Sequence, residues 1–117
     1  MDANNRAERA RCITNKHLDL LHDFLYGRLP KINGSEKQVA WAEKNRKKTL
    51  NRLFKTMDAY EDTIINGIDA LDQLEETATF CEYIAKKDDA QFWINMDYRC
   101  PMYTGTFYDW RKTRSTD

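Results

Sequence analysis

The sequence predicts an all-α protein, a small bundle of about four helices with an aromatic C-terminal tail. Three observations carry that expectation. Apolar residues recur at three- and four-residue intervals over long stretches. Isolated Gly and Pro residues punctuate those stretches. No run of alternating apolar and polar residues reaches a useful strand length. The 117 residues are one domain's worth of chain, and a hydrophobic fraction of 41% suffices for a core without staples.

The first helix is expected from near Arg6 to Tyr26, within a segment 1–27. Ile13, Leu18, Leu20, Leu21, Phe24 and Leu25 form its apolar stripe, Gly27 is its C-terminal cap and Pro30 lies just beyond. His17 falls beside the stripe and reads as a boundary residue rather than a ligand. A second helix spans 35–66. Ser35-Glu-Lys-Gln38 fits a capping box, in which the Ser hydroxyl accepts from the backbone three residues on and Gln38 reaches back. Val39, Ala42, Leu50, Leu53, Met57, Tyr60 and Ile64 then share an arc of about 80° on a helical wheel. Asp58-Ala-Tyr-Glu61 could act as an internal capping box, so a break near Thr56 is the alternative.

The third helix, 68–87, is acidic. Ile68, Leu71, Leu74, Ala78, Cys81 and Ile84 form its stripe, with Asp69 and Asp72 at the start and Lys86 and Lys87 at the end, which suits the helix dipole. Segment 88–117 holds a short helix, capped by Asp88 or Asp89 and running through Phe92, Trp93, Ile94 and Met96, and then a tail without clear period.

Charge sums to zero but is segregated along the chain. Residues 1–57 carry 13 Lys/Arg and 6 Asp/Glu, residues 58–98 carry 2 and 11, and residues 99–117 carry 4 and 2. The plain consequence is that basic and acidic helices pack side by side and complement one another. Two recognition surfaces are also implied. One is an acidic face of Glu61, Asp62, Asp69, Asp72, Glu75 and Glu76, suited to a partner's basic groove. The other is a basic face of Lys37, Lys44, Lys48, Arg52 and Lys55, within about 80° of one another on the wheel. With Trp41 among them, Lys44, Lys48 and Arg52 are candidates for binding nucleic acid through Coulomb attraction and stacking. Trp41 is nevertheless expected to pack against the first helix or the tail, because a Trp is costly to leave in water.

The tail is a further candidate surface. Seven of the fourteen aromatics lie between Phe92 and Trp110. Tyr103, Phe107, Tyr108 and Trp110 would anchor a partner, or the tail would wrap back and close the bundle; a homodimer exchanging tails would satisfy both.

The remaining chemistry is defined by what is missing. Cys12, Cys81 and Cys100 are odd in number and widely spaced, so they form neither a disulfide framework nor a metal knuckle, and Cys81 reads as core. Cys12 and His17 lack a second ligand pair. No phosphate-binding Gly-rich loop or nucleophile elbow occurs. No cofactor, metal or catalytic residue is therefore expected, and the protein is not expected to be an enzyme. No apolar run reaches membrane-spanning length, and the first residues lack the apolar core of a signal peptide, so no membrane association and a cytoplasmic location are expected.

Residues Leu29-Pro-Lys-Ile-Asn-Gly-Ser-Glu-Lys-Gln-Val-Ala-Trp-Ala-Glu-Lys-Asn-Arg46 resemble a motif of small uncharacterised bacterial proteins, many carried by phages and mobile elements, whose usual form is Leu-Pro-x-Leu-x-Gly-Ser-x-Lys-Gln-Ile-x-Trp-Ala-x-x-Ile-Arg. Asp89-Ala-Gln-Phe-Trp-Ile-Asn95, with Arg99 soon after, is similar to that family's second motif, Ala-x-x-Trp-Ile-Asp followed by Arg. Asn45 stands where the family has Ile, which would put a polar group beside Trp41, and Asn95 stands where it often has Asp. The resemblance implies no activity. It implies the company of phage-borne proteins that attach to host machines. The expected function is thus a non-catalytic inhibitor or modulator of a host nucleic-acid-handling complex in the bacterial cytosol, of the anti-CRISPR or anti-defence kind, acting by protein contact. The alternatives are a nucleic-acid-binding module and a self-associating structural protein.

Overall fold

The computed structural model describes the backbone of residues 3–115 and the side chains of 8–102 and 104–113. It is all-α: α1 (Ala3–Leu25), α2 (Glu36–Ile65), α3 (Leu71–Ala85), α4 (Ala90–Ile94), a 3-10 turn (Pro101–Tyr103) and α5 (Gly105–Ser115). No helix among the described residues is long and apolar enough to cross a membrane.

The central element is α2. Its Ser35 cap is a complete capping box, with the Ser35 hydroxyl accepting from the Gln38 amide and the Gln38 side chain accepting from the Ser35 amide. The helix runs through Asp58 without a break. It stops in a Schellman turn: Gly67 N–H donates to Ile64 O and Ile68 N–H to Thr63 O, with Gly67 at φ 87°. The same pair of bonds closes α1, from Gly27 to Phe24 O and from Arg28 to Asp23 O.

Phe24 meets Phe54, and Thr14 meets Glu61, so α1 lies antiparallel to α2. Arg9 reaches Asp72 and Glu75, which sets α3 alongside α1. The core between them holds Ile13 from α1, Leu50, Leu53 and Met57 from α2, and Leu71, Leu74, Cys81 and Ile84 from α3. Burial pushes the Cys81 thiol far above the ordinary thiol range, so it is inert at neutral pH.

Two details of α1 and α3 differ from expectation. Leu18 and Leu25 face solvent, while His17 is buried at 4% exposure and stacks on Phe54. The acidic helix starts at Leu71 rather than Ile68. The Schellman turn carries Ile68 out of register, and it stays 63% exposed.

The segments carrying the two motifs meet in space. Asn33 N–H donates to Asp88 O, and Ala90 N–H donates to Asn33 O, which docks the 30–35 turn against the start of α4. A Cβ on Gly34 would lie 2.8 Å from the Ala90 Cβ and 3.3 Å from Gln38 Oε1. Asn45 is not a polar group beside Trp41. It turns inward, is buried, and its Nδ2 donates to Trp93 O at 3.1 Å, so it caps the end of α4. These motif residues therefore build a joint between α2 and α4. Gly34→Ala should cost about 1–3 kcal/mol by overpacking that joint; equilibrium urea denaturation checks it, and an unchanged midpoint would show that the turn yields without loss.

The tail is ordered into α5. Thr104 caps it, accepting from the Phe107 amide at 3.2 Å. Phe107 and Trp110, three apart, both bury against Phe80 of α3, with ring centres 5.1 and 5.2 Å away. They close the bundle and are not free anchors for a partner. Tyr108 is 47% exposed; the side chain of Tyr103 lies outside the described residues. No period is visible in the sequence here because two buried positions one turn apart are too few to show one.

Candidate nucleic-acid interface

The outward face of α2 is open to solvent among the described residues. Lys37, Trp41, Lys44, Lys48, Arg52 and Lys55 are all exposed there. From Trp41 to Lys55 the row extends about 21 Å at 1.5 Å per residue. Trp41 does not pack on α1 or the tail: it is 58% exposed. The contact toward α4 is taken instead by Asn45, one turn further along.

The loop after α4 adds to this face. Lys48 Nζ stands 4.5 Å from the centre of the Tyr98 ring, a cation–π contact. Lys48, Asn51, Arg52, Lys55, Tyr98 and Arg99 line a shallow cleft of about 360 Å³. Asp97 shapes its rim by accepting from the Arg99 amide at 3.0 Å and from Arg99 Nε at 3.2 Å. Those bonds hold the Asp97 carboxyl below the usual carboxylate range, and the same side-chain bond raises Arg99. Arg99 thus keeps its charge but carries Asp97 beside it as a counter-charge. No ion pair joins Lys44, Lys48, Arg52 or Lys55 to a carboxylate among the described residues.

The acidic residues are arranged differently. Glu75 accepts from Arg9 Nε at 2.9 Å, and Asp72 lies 3.4 Å from the same guanidinium, whose charge is stabilised first by the Glu75 hydrogen bond. Glu76 pairs with Arg111 of α5 at 3.5 Å. Glu61 accepts from Thr14 at 3.1 Å and faces His17 on α1. Asp69 accepts from the Leu71 amide, and Asp62 is exposed. The six carboxylates do not form one open face. Side chains of α1 take Asp72, Glu75 and Glu61, and Arg111 of α5 takes Glu76, because these two helices flank the acidic segment.

In the sequence Arg99 belongs to the second motif, Tyr98 is one aromatic of the C-terminal group, and Asn51 stands out in nothing. Only the return of the chain after α4 brings them beside Lys48, a contact between positions about fifty residues apart that leaves no local signal. No protein-family model, no curated protein and no solved structure matches this chain.

Proposed function

We propose that the protein is a non-catalytic module that binds a nucleic-acid backbone along the outward face of α2. The observation that carries this reading is a row of cations, none in an ion pair among the described residues, sharing one face with Trp41 and Tyr98. Lys44, Lys48, Arg52 and Lys55 supply charge for phosphates. Trp41 and Tyr98 supply flat surfaces on which unstacked bases can rest, which favours single strands over a closed duplex. In the phage setting that the motif resemblance implies, such a module would modulate a host nucleic-acid-handling complex by occupying its nucleic acid. The route through the acidic face is less supported, since four of its six carboxylates already contact side chains of other helices in this chain.

Fluorescence polarisation with labelled single-stranded DNA, single-stranded RNA and duplex DNA tests the proposal. With about four phosphates neutralised, single-strand affinity should fall about 50-fold for a fourfold rise in salt. No binding at low salt, or binding indifferent to salt, would reject it.

A further inference from the structure

His17 is out of place if packing alone explains it. The side chain is 4% exposed, and its ring stacks on Phe54 with centres 5.3 Å apart. An apolar side chain would fill that space without a polar penalty. Neither ring nitrogen makes a hydrogen bond of ordinary length. Nε2 has no hydrogen-bond partner among the described residues, and Nδ1 stands 3.4 Å from Glu61 Oε1, beyond the usual span of about 2.7–3.2 Å. A buried imidazole left so poorly satisfied is a cost that calls for a reason.

For Nδ1, the nitrogen that faces Glu61, the carboxylates of Asp58 and Glu61 supply one. They are three residues apart on α2, so they share a side of the helix, a turn beyond the Phe54 that His17 covers. One donor atom each from His17, Asp58 and Glu61 lie within 4.8 Å of one another. Since α2 passes straight through this region, Asp58-Ala-Tyr-Glu61 caps no helix, and the spacing of its two carboxylates is free to serve something else.

We propose that His17, Asp58 and Glu61 bind one divalent transition-metal ion of the Zn²⁺ class, linking α1 to α2. The Nδ1–Oε1 separation of 3.4 Å is long for a hydrogen bond. It matches the ligand–ligand edge of a tetrahedral ion, which is about 3.4 Å for bonds of about 2.1 Å. One imidazole nitrogen and two carboxylate oxygens suit Zn²⁺ better than Mg²⁺ or Ca²⁺, which prefer all-oxygen sites. The two carboxylates neutralise the ion. Thr14 Oγ1, donating to Glu61 Oε1 at 3.1 Å, orients that ligand. Asp58 is exposed, so the ion enters from solvent, and three protein ligands leave the fourth position to water. The site uses no residue of the basic face, and its sequence signal is weak because the ligands come from two helices.

The test uses the full chain, stripped with chelator and titrated with ZnCl₂, with CoCl₂ as a spectroscopic probe and MgCl₂ as a control. The expected result is one equivalent of Zn²⁺ bound at micromolar concentration, a melting temperature raised by several degrees, and a Co²⁺ spectrum without a thiolate charge-transfer band. Asp58→Asn changes an exposed residue. It should leave the metal-free melting temperature unchanged, weaken Zn²⁺ at least about tenfold and remove the thermal shift. His17→Gln should do the same to binding; if it fails to fold, Asp58→Asn and the Co²⁺ spectrum decide. Three results would each overturn the site: no saturable binding at micromolar Zn²⁺, a thiolate band placing the ion on the exposed Cys12 or Cys100, or undiminished binding by Asp58→Asn.

Discussion

Replacing Lys48, Arg52 and Lys55 together by Glu should weaken single-strand binding by more than about a hundredfold at low salt. Each change removes a cation from the cleft and adds a repelling carboxylate. All three side chains are exposed, and none is tied into an ion pair among the described residues, so stability should shift little, within about 0.5 kcal/mol per site. A matched variant carrying Arg11→Glu, Lys16→Glu and Lys86→Glu changes net charge equally at exposed positions of α1 and the end of α3. Polarisation titrations of the two variants separate a local face from a general field. Equal losses in both would mean that net charge, and not α2, governs binding.

The largest stability effect is expected at Trp93. It is fully buried, its Nε1 donates to Lys87 O at 2.9 Å, and its own carbonyl accepts from Asn45. Trp93→Ala should cost about 3–5 kcal/mol through the cavity it leaves, and it strands the Lys87 carbonyl. Domains of this kind hold only about 5–15 kcal/mol in all, so the variant should approach the edge of folding. Urea denaturation followed by circular dichroism measures the loss. Trp41→Ala, the same substitution on the exposed face, should move the midpoint by no more than about 0.5 kcal/mol while weakening single-strand binding. A comparable loss of stability at both positions would contradict the placement of Trp41 on an open surface.

That contrast marks how far the residues could be read in order. Trp41 lies among the lysines of α2 and Trp93 within a short apolar run. The cost of leaving a Trp in water argues for covering both, and local pattern does not show that only Trp93 has a neighbour across from it. Lys48, Arg52 and Lys55 could be grouped beforehand, because helical geometry alone puts them on one side. Their companions Tyr98 and Arg99 could not, because a loop after α4 returns them to α2. His17 with Asp58 and Glu61 is a similar case, since antiparallel packing of α1 on α2 sets the register between them.

Much was fixed by the chain itself. Helical periods, the Ser35 capping box and the Gly27 and Gly67 stops depend on neighbours within about five residues, so an all-α class follows from local physics. The charge segregation, which belongs to composition, is equally plain beforehand. What each face meets was decided by tertiary packing. Folding paired acidic side chains with Arg9 and Arg111, drew Phe107 and Trp110 onto Phe80, and left the basic side of α2 open. The reason is that burial and pairing are properties of two surfaces together, and periodicity describes only one.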